Sequence, residues 1–231
     1  MNMTYKIIVA SQKEKLEQTL LYKSLVSHCI TTDKVIFFGN NKHSLAEIYN
    51  EGIDICNATD IKLAIFVHDD VYINCGDFER RIRHYAELFD VYGLAGNSAV
   101  TIKEPVLWHL MSERENLRGC VAHGLDETNY AYTSFGPLPS KVVMFDGVFM
   151  GVNLEKLPGN VRFDEKNPAK FHFYDLMFSL DCSINRLKVG VGDVPIVHNS
   201  PGLRNVTDEW KSGQKYFLEK YSKYSNKTLT V

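Results

Sequence analysis

Between residues 5 and 73 the sequence alternates strand, helix, strand, helix, strand, and nothing else in it constrains the fold as much. Tyr5–Ser11 is an apolar run ending in a small polar residue, and residues 12–29 put Leu16, Leu20, Leu21, Leu25 and Val26 on one helical face. Lys34–Phe38 is a second buried strand, stopped by Gly39-Asn40-Asn41. Ser44 and Glu47 have the spacing of a capping box, which opens a helix carrying Leu45, Ile48, Tyr49 and Asn50 and ending near Gly52 or a turn later. Leu63–Ile73 reads as the third strand. This order predicts an α/β fold with a mostly parallel central sheet, right-handed crossovers and flanking helices.

Further along, Asp77–Phe89 has Phe78, Ile82, Tyr85 and Phe89 on one stripe and predicts an amphipathic helix. Tyr92–Asn97 is a short strand. Residues 98–140 are the least regular part and read as loops around a cleft. Lys141–Val152 reads as two short strands hinged at Asp146-Gly147. A helix begins at Asp175, with Leu176, Leu180, Ile184 and Leu187 behind it. A last strand runs from Val189 to His198, and a helix follows over about 206–224. No linker or repeat divides the 231 residues, so one domain is the simplest reading.

The net charge of −2 gives no electrostatic reason to expect nucleic acid. The five cysteines include no C-x-x-C pair, which argues against a disulfide framework or a structural zinc site and suits a reducing cytosol. No window reaches transmembrane length, so the expectation is a cytoplasmic chain, with peripheral membrane association at most. The sequons at Asn57, Asn205 and Asn226 read as chance without a secretory signal.

Function is read from strand ends, where open α/β sheets bind ligands. The five residues Leu63–Val67 are apolar without alternation, and the run stops at His68-Asp69-Asp70. Two adjacent acids repel unless a cation lies near them, so the stretch is either a solvated turn or a metal site. Trp108 is either a core anchor or a platform for a sugar ring. Asp146-Gly147 fits a plain turn or a ligand contact. Asp175 fits an ordinary helix start or a functional acid favoured by the helix dipole. There is no G-x-G-x-x-G and no P-loop, so phosphates here would be neutralised by metal. Asp69, Asp70, Asp175 and His198 share one explanation in sugar transfer from a nucleotide diphosphate. Carboxylate and imidazole bind a divalent ion that stabilises the leaving group, and a separate carboxylate takes the acceptor proton.

In the order of Ala10-Ser11, the Ser44–Gly52 helix, Phe66–Val71, Phe145–Gly147, Phe171–Asp175 and Val197–Ser200, the chain resembles GT-A-fold glycosyltransferases of the family 2-like inverting group. The resemblance implies a single domain over 1–231, with a nucleotide-sugar half at 1–100, an acceptor and catalytic half at 101–204 and a C-terminal helix at 205–231. It implies Asp175 as catalytic base, and Asp70 and His198 as ligands of Mn²⁺ or Mg²⁺. Ala10, Ser11, Asn40, Asn50, His68 and Asp69 fall on the nucleotide side. Trp108, Asp146, Gly147 and Tyr174 fall near the transferred sugar and acceptor. The implied donor is a UDP-, GDP- or dTDP-sugar for hexosyl or deoxyhexosyl transfer of the Leloir type. The implied acceptor is a hydroxyl of a glycan, polysaccharide or glycolipid. Two features depart from the family: His68 stands where D-x-D has its first acid, and no acid follows the second strand. The competing readings are a sugar-phosphate nucleotidyltransferase, disfavoured by the glycine-free Ser11–Lys15 segment, and a non-catalytic nucleotide- or carbohydrate-binding module.

Overall fold

A computed structural model describes residues 3–200, 202, 205–225 and 227–231; Met1, Asn2, Pro201, Leu203, Arg204 and Asn226, the last heading one sequon, lie outside the described residues. The strands are β1 (Tyr5–Ala10), β2 (Val35–Phe38), β3 (Leu63–Val67), β4 (Val71–Ile73), β5 (Val91–Gly93), β6 (Ala95–Asn97), β7 (Ala99–Thr101), β8 (Leu117–Gly124), β9 (Tyr130–Gly136), β10 (Ser140–Lys141), β11 (Met144–Phe145), β12 (Phe149–Asn153), β13 (Val189–Val191), β14 (Ile196–His198) and β15 (Thr228–Thr230). The α-helices are α1 (Leu20–Ser27), α2 (Leu45–Ala58), α3 (Phe78–Leu88), α4 (Tyr174–Ile184) and α5 (Asp208–Lys220).

The expected strand–helix alternation forms one side of a seven-stranded sheet ordered β10-β13-β5-β12-β3-β1-β2. Its buried strands alternate between two cores. Ile7, Val9, Leu63, Ile65 and Val67 face α1 and α3, while Ile8, Ala64 and Phe66 face α2 and α4. The sheet is mixed, not mostly parallel. β1 pairs in parallel with β2 and β3, and β13 with β5, but β12 lies antiparallel between β3 and β5. No strand–helix–strand unit leads into β12: the chain reaches it from β11 of the other sheet through Asp146, Gly147 and Val148, so no crossover helix sets it parallel to β3.

A second sheet, ordered β11-β6-β8-β14-β4 with β9 on β8, stands beside the first. Short stretches cross from one sheet to the other between β3 and β4, β5 and β6, β9 and β10, β10 and β11, β11 and β12, and β13 and β14. Leu63–Ile73 is therefore two strands, not one, with His68-Asp69-Asp70 in the crossing. The stretch ending at His198 likewise divides in two. Within the 98–140 stretch, read as loops, the strands β8 and β9 form an antiparallel hairpin. Helix α1 starts later than the apolar pattern because Thr19 caps it, accepting from Tyr22 N. The Ser44–Glu47 capping box is present and its helix runs on to Ala58. Among the described residues no helix is long and apolar enough to cross a membrane.

Candidate active site

Two of the sheet crossings and the C-terminal end of β14 converge on one cleft. The β3–β4 crossing supplies His68, Asp69 and Asp70, the β11–β12 crossing Asp146 and Gly147, and β14 ends in His198. The crossings are tied to each other through backbone: His68 N donates to Val148 O at 3.2 Å, Asn199 N to Asp70 O at 2.9 Å, and Asp146 N to Ala95 O at 2.8 Å. In the ladder between β14 and β4, His198 is the register partner of Val71, which puts its ring beside Asp70.

His68, Asp70 and His198 form a cluster whose ligand atoms lie within 4.8 Å of one another. Asp70 Oδ1 is 3.3 Å from His198 Nε2 and 4.0 Å from His68 Nδ1. That oxygen is buried and has no hydrogen-bond partner. A lone buried carboxylate oxygen between two imidazoles is costly as it stands and suits a divalent cation, whose bonds of about 2.1 Å set its ligands roughly 3–4.2 Å apart. Burial, and then His198, holds His68 below the usual imidazole range, so it offers a lone pair. For Asp70, burial opposes ionisation, but His198 and His68 outweigh it and its carboxyl lies below the usual range. Asp69 is turned elsewhere and accepts from Ser11 Oγ.

Asp175 sits in the opposite electrostatic setting. Burial and the nearby Asp146 carboxylate push it up from 3.8 to about 7, although the N–H groups of Leu176 and Gly147 favour its ionised form. Its Oδ2 accepts from Gly147 N at 2.7 Å. Gly147 must be glycine for space, since a Cβ there would come within 2.5 Å of Asp175 Cβ and 2.6 Å of Tyr174 Oη. Asp175 is aimed by the residue before α4. Phe173 takes a left-handed conformation, φ 64°, rare for a bulky side chain. Its ring is held by Trp210 and Phe217 of α5, with centroids 5.2 and 6.4 Å away. The aromatic residues of the C-terminal helix thus help to set the start of α4. Tyr174 links the two groups: its hydroxyl lies 2.7 Å from His68 Nε2 and donates to Gly147 O at 3.2 Å.

His68, Asp146, Gly147, Tyr174, Asp175, His198 and Trp108 line one cavity of about 340 Å³. A neighbouring cavity of about 440 Å³ shares His68 and adds Ala10, Ser11, Asp69 and Asp70. Asn40 and Asn50, expected on the nucleotide side, line neither. Asn40 is exposed and left-handed, and its N–H closes a turn onto Lys13 O. Asn50 is buried and pins residues 163–165 through Phe163 O, Phe163 N and Glu165 Oε1. Asn41 and Lys13 line the cavity instead. Pattern offered no signal for either, since a lysine after a strand resembles any surface lysine. A third cavity, about 370 Å³, is lined by Trp108, His109, His123, Phe135, Asp146 and His198. Trp108 packs edge-on against Phe135, centroids 4.9 Å apart, and also lines the cleft.

Comparison with known proteins sets this cleft in context. No curated protein matches the chain. Solved structures similar to it include A197 from STIV, 14% identical with a TM-score of 0.48, covering 89% of this chain and 98% of that one. A glycosyltransferase involved in the glycosylation of the major capsid of PBCV-1 is 10% identical with a TM-score of 0.30, covering 93% of this chain and 99% of that one. A family model described as "Glycosyltransferase like family" matches residues 6–229, and the chain belongs to that family.

Proposed function

We propose that the chain is a metal-dependent inverting glycosyltransferase that moves a sugar from a nucleoside-diphosphate donor to an acceptor hydroxyl. One observation carries the reading: the two imidazoles of a cluster suited to a divalent ion and a separate carboxylate of raised pKa line the same cavity. The donor's nucleotide lies in the cavity formed by Ala10, Ser11, Lys13, Asn41 and Asp69. The sugar lies between His68, Asp146 and Tyr174, and the acceptor enters past Trp108. Asp175 takes the acceptor proton as the acceptor oxygen bonds to the anomeric carbon and the diphosphate leaves from the other face. That single displacement inverts the configuration. Mn²⁺ or Mg²⁺ held by Asp70 and His198 would stabilise the charge on the leaving diphosphate. The whole chain acts as one domain, since residues of both halves build the cleft.

The test is a panel of UDP-, GDP- and dTDP-sugars with carbohydrate acceptors, with and without Mn²⁺. Metal-dependent release of nucleoside diphosphate with a glycosylated product is expected. Release of pyrophosphate from a nucleoside triphosphate and a sugar phosphate, or metal-independent nucleotide affinity without turnover, contradicts the proposal.

A further inference from the structure

We infer that the cation site of this chain is a two-imidazole, one-carboxylate site in which His68 binds through Nδ1, and that Tyr174 is the positioning residue that fixes that tautomer. The inference rests on the metal dependence proposed above, but not on which sugar is moved or whether one is.

Proton bookkeeping at Tyr174 leads to it. The phenol has one proton and two partners, the Gly147 carbonyl at 3.2 Å and His68 Nε2 at 2.7 Å. A carbonyl oxygen carries no proton, so the contact to Gly147 uses the one on Tyr174. With that proton on the Gly147 carbonyl, the shorter contact is made by a proton on His68 Nε2. A neutral imidazole has a single ring proton, and Nδ1 is left with its lone pair. Nδ1 is the ring atom 4.0 Å from Asp70 Oδ1, the same oxygen that lies 3.3 Å from His198 Nε2. The other tautomer would direct an N–H at Asp70 Oδ1 across 4.0 Å, beyond hydrogen-bond reach, and leave that buried oxygen still unpartnered. A cation between the three atoms satisfies all of them. Metal-bound imidazoles commonly have the second nitrogen held in this way by an outer partner.

The donor set has a consequence for selectivity. Mg²⁺ prefers an all-oxygen shell and sheds water reluctantly, whereas imidazole nitrogen suits Mn²⁺ and, more strongly, Co²⁺. With His68 in place of an acid, the site favours Mn²⁺ and Co²⁺ over Mg²⁺. Tyr174 also spans the cleft's two functions, because the Gly147 whose carbonyl it holds donates its N–H to Asp175.

The test reads metal binding, not turnover. Mn²⁺ is titrated by electron paramagnetic resonance into the full chain, alone and with UDP, followed by Mg²⁺ competition; Co²⁺ absorption reports the ligand field. Asparagine places its oxygen near the Nδ1 position of histidine, and glutamine places its own near Nε2. The native chain should therefore bind Mn²⁺ at least about tenfold more tightly than Mg²⁺. His68→Asn should retain Mn²⁺ better than His68→Gln, and the isosteric Tyr174→Phe should weaken Mn²⁺ roughly 10- to 100-fold. Unchanged far-ultraviolet circular dichroism and melting confirm that the variants fold. No Mn²⁺ binding by the native chain, equal affinity for Mg²⁺ and Mn²⁺, His68→Gln binding as well as native, or Tyr174→Phe with native affinity and an unchanged Co²⁺ spectrum each overturns it. Failure of sugar transfer leaves these binding constants standing, so the two proposals fail separately.

Discussion

Asp70 and Asp175 carry the same side chain into one cleft and meet opposite surroundings. Asp70 lies at a sheet crossing between two imidazoles, which hold its carboxyl below the usual range despite burial. Asp175 lies in the first turn of α4, buried beside a second carboxylate, and is pushed up to about 7. The difference separates two tasks that one kind of residue could otherwise confuse. A carboxylate that is always ionised suits a cation. A carboxylate poised near neutrality can take a proton in a transition state and give it up afterwards. The chemistry follows from neighbours, not from residue type.

That contrast can be broken from either side. The largest effect is expected at Asp175, the proposed base. Asp175→Asn keeps the size and the contact to Gly147 but cannot take a proton, so turnover should fall about 10²–10⁴-fold with donor affinity retained, checked by steady-state rates and calorimetry. The same variant should melt at a higher temperature than native, and the gain should be greater near pH 8 than near pH 5. The sign follows from linkage. An acid whose pKa is raised from 3.8 to about 7 in the fold costs stability increasingly as pH rises between those two values, and the amide removes that penalty. On the other side, Asp70→Ala should reduce metal affinity by at least roughly tenfold while leaving the nucleotide-side contacts of Ser11 intact, read by Mn²⁺ titration.

Much of the first half of this arrangement was legible in the sequence. The capping box at Ser44 and Glu47 and the buried runs of β1, β2 and β3 are local signals that need no distant partner. The crossings between sheets were not legible. At Val71 the apolar run resumes as if β3 continued, and only pairing with β14, more than a hundred residues away, makes it a separate strand. The mixed sheet was hidden for the same reason. The contact between His68 and Tyr174 joins residues 106 positions apart. The place of His123 and Phe135 at the cleft had no local mark, because the β8–β9 hairpin that brings them there reads as irregular chain. Asn50 was not legible either: its position in the resemblance suggested the nucleotide side, and in the fold its amide bonds to Phe163.

Smaller effects sharpen the distinction between cleft and scaffold. Asn50→Ala leaves buried polar groups of residues 163–165 unpaired and should cost about 1–3 kcal/mol of stability in denaturant melts, with donor affinity changing less than in Ser11→Ala. Asn40→Ala should be the mildest of these variants. The side chain is exposed, so beyond the modest strain of its left-handed backbone it should shift donor affinity by less than about 0.5 kcal/mol, by calorimetry.

The most direct test of two carboxylates set to different tasks is the pH dependence of kcat/KM for the native chain and Asp146→Asn, at saturating Mn²⁺. The native profile should rise with pH through an acidic limb near 7, as Asp175 ionises. Asp146→Asn removes the second contributor to that raised value, so its limb should move to lower pH. A native profile flat from about pH 5 to 8, or a limb that stays near 7 in Asp146→Asn, would contradict Asp175 as the base.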